Sequence, residues 1–114
     1  MPLKDTSSIT LPPKTGGIVW KEITRKGRLS STVFFASIAL NDSSLKDNLD
    51  IWIYRGHFLY PKGWCFRCPK MNIDIDVLYA DFDDVNGAAQ EAIDIIFNRA
   101  SIIIESINKL RHGS

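Results

Sequence analysis

The segment VNGAAQEAIDIIFNRASIIIESINKL, Val85–Leu110, decides the architecture of this chain. Gly87, Glu91, Asp94, Asn98, Ser101, Glu105, Asn108 and His112 recur at alternating spacings of four and three, and none carries an apolar side chain. That is a helical period, and it predicts one continuous helix over 85–110. Most positions off this stripe are apolar: alanines at the start, then Ile93, Ile95, Ile96, Phe97, Ile102, Ile103, Ile104, Ile107 and Leu110. A surface helix ordinarily buries one face, whereas this one could bury most of its circumference. A curled sheet or a second subunit must cover the excess. Ile93, Ile96, Phe97, Ile103, Ile104 and Ile107 are therefore the expected dimer-contacting or ligand-contacting face. The β-branched run SIIIESI (101–107) has a second reading, as a strand following a shorter helix.

Upstream of the helix, ADFDD (80–84) supplies N-cap candidates, with Asp83 and Asp84 favoured by the helix dipole. From Ile18 to Ala80 the pattern is β. The expected strands are 18–25, 29–40, 49–54, 57–60, 64–68 and 71–79, separated at Lys26-Gly27, 41–48, Arg55-Gly56, Pro61-Lys62-Gly63 and Pro69-Lys70. In the last strand Met71, Ile73, Ile75, Val77 and Tyr79 alternate with Asn72, Asp74 and Asp76, as one buried and one wet face require. Residues 1–17 mix Ser, Thr, Pro and Gly and read as a flexible N-terminal arm, leaving 18–114 as one domain. The fold expected is α+β: a curved antiparallel meander of about six strands, with the C-terminal helix packed across it.

At 114 residues the chain can bury a core without staples. Its net charge of +1 argues against a generally polybasic nucleic-acid binder. No apolar run reaches the roughly 20 residues of a membrane span, and Met1–Gly17 has no signal-peptide core, so no membrane partner is expected. The chain has two cysteines, and a reducing cytoplasm is the expected compartment.

Both cysteines lie in GWCFRCPK, Gly63–Lys70. In an extended strand, residues three apart point to opposite faces, so Cys65 and Cys68 could neither pair nor share a metal. WCFRCPK resembles the Trp-Cys-x-x-Cys-Lys motif of thioredoxin-like redox proteins over those few residues. That family places the motif at a helix N-terminus, where the thiolate is stabilised. Here Pro69 follows the second cysteine and strand pattern resumes at Met71, so redox chemistry is not expected. A zinc site would have only His57, Cys65 and Cys68 to draw on, apart from the terminal His112; a Cys–His nucleophile would lack an orienting third residue. No metal and no cofactor are expected. The acidic group Asp74, Asp76, Asp81, Asp83 and Asp84 fits a wet strand face and helix capping better than a cation loop.

Two constellations suggest binding. With the turns as read, Arg25, Lys26, Arg28, Arg55, Arg67 and Lys70 gather at one end of the sheet, opposite Asp42, Asp47, Asp81, Asp83 and Asp84. If Ile51 and Ile53 face the helix, Trp52 and Tyr54 face away from it. Cations beside exposed aromatic rings suit single-stranded nucleic acid, but also a protein interface. A sheet with one dimerising helix is similar in architecture to small single-strand-binding coactivator domains, a likeness that transfers no residues. The leading expectation is a non-enzymatic homodimeric binding protein that takes a protein or small-molecule partner. Nucleic-acid binding through the basic rim is one alternative. The other is an enzyme with a pocket between helix and sheet, using His57, Asp81 or a cysteine, and it needs a partly polar cavity there.

Overall fold

The structure is a computed structural model and describes residues 11–23, 32–39 and 48–112. Five strands follow one another: β1 (Lys21–Glu22), β2 (Thr32–Ala39), β3 (Asn48–His57), β4 (Tyr60–Cys68) and β5 (Ile73–Leu78). Each pairs antiparallel with the next, so the sheet is a meander in sequence order. A 3₁₀ turn (Pro69–Met71) joins β4 to β5, and one helix, α1 (Val85–His112), completes the α+β fold.

The meander has five strands rather than six because Arg55-Gly56 does not reverse the chain. Gly56 has φ of 76°, a conformation that costs glycine little, and the register shifts there between Arg55 and His57. Three β4 residues, Pro61, Lys62 and Gly63, bulge opposite Gly56, and β3 runs on to a tip at Phe58-Leu59. The expected strands 57–60 and 64–68 are thus replaced by the end of β3 and the single strand β4. Pro61 is tolerated inside β4 because the paired register is interrupted between Tyr60 and Trp64.

The alternation expected over 71–79 also slips. A register shift lies between the pairs Phe66↔Asp76 and Cys68↔Ile73. One extra residue in β5 breaks the alternation: Ile73 and Leu78, of opposite parity, are both buried, Ile75 and Val77 are only half-buried, and Tyr79 is 85% exposed.

The core lies between one sheet face and the first half of α1. Phe34, Ile51, Ile53, Trp64 and Phe66 meet Ala88, Ala89, Ala92 and Ile96. Small helix residues opposite large aromatics let the helix backbone approach the sheet closely. Buried Trp20 caps the cluster and donates from Nε1 to Thr15 Oγ1 at 2.8 Å. Trp64 Nε1 donates to the Asp81 carbonyl at 2.9 Å. Residues 11–17, read from sequence as part of the arm, include the buried Pro13 and Thr15, and the Lys14 amide donates to Asn86 Oδ1 on α1.

Three contacts anchor the helix. Asp84 Oδ1 accepts from the Gly87 amide at 2.9 Å, an N-cap at one of the expected aspartates. The Glu91 carboxylate accepts from the Tyr79 and Ala80 amides at 2.8–3.0 Å, where β5 ends. Arg99 Nη1 donates to the Met71 carbonyl at 3.0 Å, at the opposite end of the sheet. Beyond Arg99 and Ala100 the helix leaves the sheet.

Candidate interaction surfaces

Helix α1 is continuous through Ser101–Ile107, which settles that segment as helix rather than strand. Every residue from Ser101 to His112 is exposed. Of the face expected from sequence, Ile96 is buried in the core and Ile93 packs against it. Phe97 is 71% exposed, Ile103 46%, Ile104 59% and Ile107 50%. Ile102 and Leu110, outside that expected set, are exposed with them. The sheet therefore covers only the N-terminal half of the apolar circumference. About 12 residues, some 18 Å at 1.5 Å per residue, stand beyond it.

The sheet face opposite the helix carries the second surface. Trp52 and Tyr54 lie on the opposite side of β3 from buried Ile51 and Ile53. Trp52 stands between Phe35, ring centroids 5.0 Å apart, and the Arg67 guanidinium, 5.2 Å from its ring. Arg67 Nε is also 3.5 Å from Asp74 Oδ1. Tyr54 meets the His57 ring, which stacks on Phe58. The His57 Nδ1 accepts from the Leu59 amide, holding the hairpin tip.

Of the basic residues read as one rim, Arg55 and Lys70 lie at opposite ends of the sheet. Arg25, Lys26 and Arg28, with the 41–47 loop and its acidic residues, lie outside the described residues. Arg55 is on the helix-facing side of β3, its guanidinium over the Trp64 and Phe82 rings at 5.7 and 5.0 Å. That end of the sheet also holds Asp81, Asp83 and Asp84. Because the chain reverses at 58–59 instead of twice between 55 and 63, Pro69-Lys70 falls at the opposite end. Of the five described members of the set, Trp52 and Arg67 are in contact.

Cys65 and Cys68 sit on opposite faces of β4, Cys68 in the helix-side core and Cys65 behind it across from Tyr54. Both are free and fully buried. Burial pushes the Cys65 thiol up to about 11. Burial also raises that of Cys68, against a lowering hydrogen bond at the Met71 backbone. Raised thiols stay protonated at neutral pH and are poor nucleophiles and metal ligands. Among the described residues, no three His, Cys, Asp or Glu side chains are placed to hold a metal ion. Among the described residues the helix and sheet meet through the side chains of the core, and no buried side-chain N or O atom among them lacks a partner. An open apolar cleft of about 370 Å³ lies elsewhere, along the β4–β5 pair between Leu59 and Leu78, with Lys62 at its margin.

The class defined by these features is a small α+β domain, a five-stranded antiparallel meander with one long C-terminal helix. Comparison with protein-family models, curated proteins and solved structures finds no match for the chain. Among the described residues no helix is long and apolar enough to cross a membrane.

Two residues that hold the helix in place were not singled out from sequence. Glu91 reads there as part of the wet stripe, and Arg99 falls outside both the stripe and the apolar positions. Their partners are backbone groups 12 and 28 positions away, and no local pattern signals such pairs.

Proposed function

We propose that this chain is a non-enzymatic interaction protein that works by self-association through the projecting half of α1. The observation that carries this reading is the uniform exposure of Ser101–His112 in a segment containing Ile102, Ile103, Ile104, Ile107 and Leu110. Isoleucine is only a moderate helix former, and isolated helices shorter than about 12–15 residues are marginal in water. A β-branched segment of this length, unsupported by the sheet, gains its order from a partner surface. The core side chains that join helix and sheet and the protonated thiols support a binding role over catalysis. Two free buried thiols also suit a reducing compartment such as the cytoplasm.

The test is sedimentation equilibrium of the full chain beside an Ile103→Asp/Ile107→Asp variant. The expected result is twice the chain mass for the natural sequence and the single-chain mass for the variant, with both showing the same near-ultraviolet tryptophan signal. A natural chain that stays monomeric throughout the micromolar range overturns the reading.

A further inference from the structure

We infer that the partner of the projecting helix is a second copy of the same segment, laid antiparallel, with Ala100 facing Leu110 and Ile103 facing Ile107 across the pair. The inference rests on the self-association proposed above and specifies its geometry.

The first observation is spacing. Ala89, Ile93, Ile96, Ala100, Ile103, Ile107 and Leu110 are separated by four, three, four, three, four and three residues, and all seven are apolar. This is the 3.5-residue repeat of a helix-pairing seam. The structure divides it in two. Ala89, Ile93 and Ile96 are occupied by the chain's own sheet, and Ile103, Ile107 and Leu110 are exposed. Ala100, half-buried, sits at the boundary. A second helix laid along this seam would continue the layer that the sheet forms further back.

The second observation is volume. A parallel pair would put Ala100 against Ala100 and Leu110 against Leu110, leaving a thin layer at one end and a crowded one at the other. Reversing one helix matches small with large: Ala100 with Leu110, Ile103 with Ile107, and the same two contacts again by symmetry. Facing layers of even thickness pack without voids. Such a pair is isologous and closes as a dimer.

The third is charge. The end of the helix is basic, with Lys109, Arg111 and His112 in its last turn. Parallel pairing would set these groups beside their own copies. Antiparallel pairing carries them away from each other, along the partner's helix toward its sheet-bound half. It also brings Arg111 alongside the partner's Phe97, whose ring is 71% exposed, in reach of a cation–π contact. The area is adequate as well. Ile103, Ile107 and Leu110 on the seam, with Phe97 and Ile104 flanking it, each expose on the order of 100 Å², so the pair would bury about 500 Å² per partner, near the roughly 1,000 Å² total at which specific interfaces begin.

Cysteine cross-linking tests the arrangement. The native Cys65 and Cys68 are fully buried and stay out of reach in the folded chain. Ala100→Cys and Leu110→Cys chains are prepared singly and as an equimolar mixture, oxidised mildly, and read by non-reducing electrophoresis and mass spectrometry. In the inferred pair, Leu110 lies about 15 Å along the axis from its own copy, beyond the roughly 7 Å between Cα atoms that a disulfide spans. The expected result is a linked heterodimer in the mixture and little linkage in either single variant. Self-linked Leu110→Cys overturns the antiparallel register while leaving self-association intact. No linkage in any sample, together with monomeric mass in sedimentation, overturns both.

Discussion

The two halves of α1 share one helical period and opposite surroundings. From Val85 to Ala100 the helix lies on the sheet, with alanines where the aromatics are large and with Asp84, Glu91 and Arg99 holding it to the chain. From Ser101 to His112 isoleucines replace the alanines and all of them face solvent. The difference shows that apolar content alone does not determine what a helix packs against. Small residues admit a sheet at close range; a spaced row of isoleucines suits another helix.

Changes in the sheet-bound half and its core should have the largest effects on stability. Phe66→Ala empties a fully buried site beneath the helix and should lower unfolding free energy by about 3–5 kcal/mol in urea titration. A loss below about 1 kcal/mol would mean that the helix and sheet are not packed there as described.

Alkali should act on the same half. The Cys65 thiol has a folded value of about 11, raised by burial from 9.0. The folded chain holds that proton more tightly than the unfolded one, so the contribution is complete below pH 9 and is lost as pH rises toward 11. On the order of 2 kcal/mol should disappear across that window, and the slope should flatten in Cys65→Ala. An unchanged slope in that variant would show that burial does not hold this thiol neutral.

The anchors come next. Glu91→Ala removes the acceptor for the Tyr79 and Ala80 amides and should cost about 1–2 kcal/mol, with faster amide exchange at those two positions. Asp84→Ala removes the N-cap and should cost about 1 kcal/mol. Ile104→Ala, in the projecting half, should change single-chain stability by less than about 0.5 kcal/mol while weakening self-association measured by sedimentation. A core-sized loss from Ile104→Ala would erase the contrast between the halves.

Much of the fold was legible because its signals are local. The polar stripe on α1 spans several turns, and its spacing predicts the helix to within two residues of Val85–His112. The outward placement of Trp52 and Tyr54 follows from the period of two along β3. Errors arose where backbone geometry overrides composition. Arg55-Gly56 has the residues of a turn but stays in β3 opposite a bulge in β4, which merges two expected strands and moves Lys70 to the other end of the sheet from Arg55. The β5 bulge likewise puts Leu78 in the core and Tyr79 in solvent, although MNIDIDVLY alternates cleanly. Which end of the sheet a residue such as Lys70 reaches depends on every reversal before it, so one turn fewer separates it from Arg55.

The sequence by itself determined the element types, the long helix, the extended character of the cysteine stretch and the seven-position apolar seam, because each depends on neighbours within a few residues. Only the tertiary structure decided how far the sheet reaches along that seam and where Glu91 and Arg99 attach. Sheet coverage is set by strand lengths, bulges and register, contacts between residues far apart in the chain. Those contacts leave the isoleucines of α1 beyond the sheet exposed, without cover from the described strands.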